Sequence, residues 1–308
     1  MADSSFNKRE VTTSAEDNRP PGLLDREEYI EQAYFFRVYR ERVEEKVPSQ
    51  EILQVVEEEI LSTTRLPMAI DFLKGEILLT GQLGPGMARL GHYFTTFQTY
   101  MITKAEDDTS RLDYCIALQI LEREAEYRAA NPTMPGMFVY HFECIARNRL
   151  GYDGGMMAVA SDPIYNDIWQ KWIRWLRLQL GTRDLADFLY QSSQQFVEDE
   201  TRDPKRTAAD VERIVPLFGS KEGRIAKANR GRDPLYMFAA LQRQLGYPGV
   251  PRSVRKKQGP DIHPALEQRL NRMEKQIKLL ESEARGGLDL SDFYENPPQF
   301  GDDPTKLD

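Results

Sequence analysis

Residues 25–46 read DREEYIEQAYFFRVYRERVEEK, and the spacing within this stretch decides the fold class. Its apolar positions Tyr29, Ala33, Phe36, Tyr39 and Val43, continued by Val47, advance by three or four residues. That is the period of one helix face, not the alternation of a strand. The spacing recurs along the chain. Ile52, Val56 and Ile60 repeat every four residues behind Ser49, a residue type that caps helices. Leu90, Phe94, Phe97 and Met101 step by four, three and four, which predicts a helix from Met87 to Lys104.

Behind Ser110, read as a cap, the stretch Leu112–Leu121 is apolar nearly all round before the charged run Glu122–Arg128. A helix end without a polar face belongs in the middle of a bundle. Asp162-Pro163 reads as the N-cap and first position of a long helix running to Leu180, because proline lacks only an N–H that is unpaired there anyway. Asp233-Pro234 opens another, which Gly246 closes. Gly84-Pro85-Gly86 and Tyr152-Asp153-Gly154-Gly155 read as breaks between helices. Strand signals are nearly absent. The expectation is an all-α protein: a large multi-helix bundle formed by residues 23–246.

The ends read differently. Residues 1–22 are polar, offer no apolar stripe and are expected to be disordered. Residues 247–262 hold three prolines and several basic residues, the composition of a linker. In 263–286, Leu266, Leu270, Met273, Ile277, Leu280 and Ala284 alternate steps of four and three, a heptad pattern with Leu266, Met273 and Leu280 at d. This predicts a separate C-terminal amphipathic helix that either pairs with a second chain, as a homodimer through 263–286, or folds back onto the body. Gly286-Gly287 stops the pattern, and the acidic tail 287–308 is expected to be disordered.

Composition narrows the class. The 308 residues are 40% hydrophobic, enough for a core without metal or disulfide support, and two cysteines cannot form a disulfide framework. The first residues carry no apolar signal core, and the uncharged run Leu90–Thr103 is too short and too polar for a membrane span. A cytoplasmic protein without membrane contact is expected. The net charge of −8 is uneven. Between Gly219 and Lys257 ten basic residues stand against two acidic ones, a local +8 that leaves −16 elsewhere. Such a segment either meets an external anion such as nucleic acid or docks on the chain's own acidic surface. Lys221, Arg224, Lys227 and Arg230 lie on its basic helix, placed like the second helix of a helix-turn-helix.

Catalytic signatures are weak. His141, Glu143 and Cys144 include an H-x-E, but the downstream Pro-Cys-x-x-Cys of zinc deaminases is missing. His141 and Cys144, three residues apart, remain as a nucleophile-and-base pair. No Glu-x-x-His pair supports a di-iron centre, and Gly84–Arg89 lacks the Lys-Ser/Thr ending of a phosphate loop, though a helix start there can meet an anion. No metal or cofactor is expected. Trp169, Trp172 and Trp175 recur every three residues and read either as core or as a peptide-binding groove. The functional expectation is a non-enzymatic helical scaffold or adaptor for a protein partner, with Leu266, Leu270, Met273, Ile277, Leu280, Lys221, Arg224, Lys227, Arg230, Trp169 and Trp172 as interaction residues. The alternatives are a nucleic-acid- or anion-binding protein acting through 219–257 and an enzyme using His141 and Cys144.

Overall fold

The computed structural model describes residues 23–110, 112–202 and 215–252, together with Ile277. The chain divides into two compact units, Met1–Ser253 and Val254–Asp308. In the second only Ile277 is described, a helical residue with an exposed side chain, so the remaining heptad residues and the tails lie outside the described residues.

Among the described residues the first unit is all-α, with thirteen helices and two isolated bridges but no strand. In chain order they are α1 (Arg26–Glu44), α2 (Ser49–Glu59), α3 (Leu66–Thr80), α4 (Gly84–Arg89), α5 (Thr96–Glu106), α6 (Tyr114–Ala129), α7 (Met134–Asn148), α8 (Tyr152–Ala160), α9 (Asp167–Gln179), α10 (Leu185–Gln191), α11 (Gln194–Arg202), α12 (Ser220–Ala228) and α13 (Pro234–Leu245). Helix α1 packs along α6, α2 on α3, α4 on α5, α8 on α9, and α12 on α10 and α11. The core that joins them is strongly aromatic: Phe35, Phe36, Tyr39, Phe94, Phe97, Phe138 and Tyr140 are fully buried. Helix α7 is buried almost all round from Gly136 to Ile145. Burying one such side chain contributes about 1.5–3 kcal/mol, so this aromatic set dominates cohesion.

Four local expectations are corrected. Met87–Lys104 is not one helix: α4 ends at Arg89 and α5 starts at Thr96. Thr95 and Gln98 form a reciprocal capping box there, Thr95 Oγ1 accepting from Gln98 N–H at 3.2 Å and Gln98 Oε1 from Thr95 N–H at 3.0 Å. Both glycine-rich breaks are short helices. Gly86 lies against Leu73 and Gly155 against Ile145, where an added Cβ would meet side-chain carbons at 2.7 and 2.8 Å. These glycines let helices approach closely and do not end them. Ser110 is displaced as a cap by Asp113, which accepts from Ile116 N–H at 3.0 Å. Asp162 caps nothing: α9 starts at Asp167 behind Asn166, whose side chain accepts from Trp169 N–H. Asp162 turns inward instead.

Candidate functional site

Two features of the fold stand out: a charged network in the core and an apolar helix face on the surface. The network begins on α6. Glu124 and Arg128 continue the face that Ala117 and Leu121 bury, so a carboxylate and a guanidinium project into the interior one helical turn apart. Arg128 Nη2 lies 2.7 Å and Nε 3.2 Å from Glu124 Oε1. The same guanidinium reaches Asp162, with Nη1 3.3 Å from Oδ1 and Nη2 closer still to Oδ2. From α7, His141 Nε2 stands 2.8 Å from Glu124 Oε1, and its Nδ1 faces the Tyr165 hydroxyl at 3.3 Å. Phe97 stacks on the imidazole at 4.0 Å, and the Tyr29 ring lies 5.8 Å from the Arg128 guanidinium carbon. Glu124, Asp162 and His141 are fully buried.

The electrostatics follow from that burial. Desolvation works to raise the Glu124 carboxyl, but the Arg128 charge and the bonds from His141 and Arg128 outweigh it and hold the group down at about 2. Burial works against the Arg128 charge, and Asp162 and Glu124 together drive its pKa well above the ordinary value. Glu124 Oε2 accepts no hydrogen bond from the described residues. Glu124, His141 and Asp162 each offer a ligand atom within 4.8 Å of the others, a spacing a metal ion can bridge. Arg128 already binds both carboxylates, however, so a cation there would have to displace the guanidinium. The donor set fits an internal ion pair better than a metal centre.

His141 and Cys144 do not form an accessible pair. Cys144 is fully buried, and burial pushes its thiol well above the usual range, opposite to what a nucleophile needs. His141 is engaged by Glu124 and Tyr165. The N–H groups at the start of α4, which could meet an anion, are satisfied from within the chain as well. Glu106 accepts from the N–H of Leu83 at 2.6 Å and of Gly84 at 2.9 Å.

Of the other sequence-selected residues, Trp169 is buried and Trp172 half-buried. Both pack on Phe138 and Phe218, and Trp172 Nε1 donates to Ser192 Oγ at 2.9 Å. The four basic residues of α12 and its end divide into two kinds. Lys227 pairs with Asp199 at 2.7 Å and Arg230 with Asp187 at 2.8 Å, and both lie over the Tyr190 ring. The Lys227 bond comes first among the causes that hold the Asp199 carboxyl at about 2, followed by Tyr190. Lys221 and Arg224 are exposed, and Arg224 donates back to the Ser220 carbonyl. A cavity of about 430 Å³ is lined by Phe142, Tyr152, Leu235 and Phe238 among others. Three of its charged neighbours are engaged: Asp184 and Asp233 cap helices, and Arg147 pairs with Glu143; the fourth, Arg183, is exposed.

The surface feature is α3. One of its faces, Leu66, Ala69, Ile70, Leu73 and Ile77, is buried. The opposite face is also apolar. Met68 and Leu79 are 70% and 82% exposed, Phe72 is 37% exposed, and Gly75 lies open between them. The helix is firmly placed. On α1, Glu28 accepts from Arg65 N–H at 2.8 Å and Glu31 from Leu61 N–H at 3.2 Å, which fixes the turn before it. Gly81, at φ +73°, ends it in the left-handed conformation. On its flanks Arg89 pairs with Glu76, and Lys74 with Glu57 and Asp71. Exposed apolar stripes of this kind are uncommon on a helix whose other face is already packed in a core.

Sequence reasoning passed over both features. The network had a legible signal, two opposite charges continuing an apolar stripe at i and i+4. The stripe on α3 had one too, because a segment apolar on both faces is either buried all round or partnered. No protein-family model, no curated protein and no solved structure matches this chain. Among the described residues, no helix is long and apolar enough to cross a membrane.

Proposed function

We propose that this protein is a non-enzymatic helical scaffold that works by protein–protein interaction, with the outer face of α3 as its docking surface. The exposed Met68–Phe72–Leu79 stripe carries this reading, because exposed apolar area on a fixed helix is stabilised only by a partner. The burial of His141 and Cys144, the groups that enzyme chemistry would draw on, supports it further. Residues 263–286 offer a second apolar seam through Leu266, Leu270, Met273, Ile277 and Leu280. A cytoplasmic location agrees with the two free cysteines.

The test is affinity purification of the tagged full-length chain from its own host, beside a Met68→Lys/Leu79→Lys variant. Both side chains are largely exposed, so the charges leave the fold intact. The wild type should retain a protein that the variant loses. An identical set of co-purified proteins from both would refute the assignment of function to α3.

A further inference from the structure

The outer face of α3 has a shape that names its partner. At 100° per residue, Met68, Phe72, Gly75 and Leu79 fall within a sector of about 60°. Phe72 is a projection on this stripe. Gly75, three residues on, is a hollow: a Cβ placed there would have no atom within 4 Å. Glycine in a helix interior is unfavourable, and no packing among the described residues accounts for it at this position. The hollow is open to the outside.

We infer that α3 pairs antiparallel with α3 of a second copy of this chain. This rests on the reading of α3 as a docking surface and adds the identity of the partner. A two-fold axis passing between positions 73 and 74 sets Phe72 of each copy into the partner's Gly75 hollow and Met68 against the partner's Leu79. Both matches occur twice, as an isologous interface requires. The charges are compatible with the same axis: Asp71, which borders the stripe, is already held in an ion pair by Lys74 of its own helix, so no uncompensated charge enters the seam. A parallel pair would stack Phe72 on Phe72 and leave both hollows unfilled.

Helix α3 has 15 residues and is about 22 Å long, so the interface is small and the dimer reversible, with a dissociation constant in the micromolar range. Sedimentation of the full chain from about 1 to about 100 μM spans that range. The wild type should pass from monomer to dimer. Phe72→Lys should remain monomeric throughout. Gly75→Leu fills the hollow while favouring the helix, so it should raise the dissociation constant at least tenfold without lowering the melting temperature, which separates lost pairing from lost folding. Leu270→Lys with Ile277→Lys, in the heptad segment, should leave the dimer unchanged.

A wild type that stays monomeric across the range overturns the inference. So does a dimer that Gly75→Leu spares and the heptad variant dissolves. A monomeric wild type whose Met68→Lys/Leu79→Lys variant still loses a different co-purifying protein overturns the self-pairing alone and leaves the docking function standing.

Discussion

Replacing Arg128 with Met tests the electrostatic reading of the core most directly. The substitution nearly preserves side-chain length but removes the only guanidinium bonded to Glu124 and Asp162 among the described residues. Two carboxylates remain, fully buried, with His141 as the one basic group beside them. Breaking a buried pair in this way costs about 3–5 kcal/mol at neutral pH. For a body of this size each kcal/mol moves the melting temperature by about 2–4 °C, so a loss of about 10 °C is expected.

The pH dependence gives a second, sharper test. In the wild type the folded Glu124 pKa, about 2, lies below the ordinary 4.5. Its contribution to stability is therefore complete above about 4.5 and is lost as pH falls toward 2. In the variant the sign reverses. Burial without Arg128 raises the Glu124 carboxyl, so folding is favoured at low pH and weakened as pH rises. The gap between the two proteins should narrow steadily from pH 7 to pH 4. Urea denaturation across that range measures it. A gap below about 1 kcal/mol at pH 7, or one that does not change with pH, would refute the reasoning. The triple variant Arg128→Met/Glu124→Gln/Asp162→Asn should recover part of the loss, since it leaves no uncompensated charge.

Other outcomes are expected from the same structure. Cys115 is partly accessible and should react with a thiol reagent in the native protein, whereas Cys144 should react only on unfolding; equal native rates would contradict the packing of α7. Glu106→Ala removes the acceptor for two backbone N–H groups at the start of α4 and should cost about 1 kcal/mol by thermal melting. Lys227→Glu with Arg230→Glu should lower the melting temperature by breaking the contacts to Asp199, Asp187 and Tyr190, while Lys221→Glu with Arg224→Glu should leave it unchanged. If the chain binds a labelled duplex, only the second pair should weaken binding without unfolding, and the affinity should fall steeply with salt; no salt-sensitive binding at low ionic strength removes the nucleic-acid reading.

The sequence by itself determined that this chain folds as helices, because the three-and-four spacing of residues such as Tyr29, Ala33, Phe36 and Tyr39 is a local property that any single face displays. It also marked some local caps, as at Asp233, and missed others that are equally local, Thr95 with Gln98 and Asp113. Its other errors share one physical cause. Gly86 and Gly155 are required by the approach of Leu73 and Ile145 from other helices, and no local pattern distinguishes such a glycine from a helix break. Asp162 has the grammar of an N-cap, yet an arginine 34 residues earlier competes for it and wins, since a buried guanidinium must be neutralised. The charges of Glu124 and Arg128 looked like the solvated end of α6 until α1, α7 and the turn holding Asp162 closed over them. For α3 the sequence showed an apolar segment, but only the tertiary structure decided which of its two faces the core would use, leaving Met68, Phe72, Gly75 and Leu79 outside. Periodicity reports that a helix has an apolar face, whereas which neighbour covers that face depends on contacts between residues far apart in the chain.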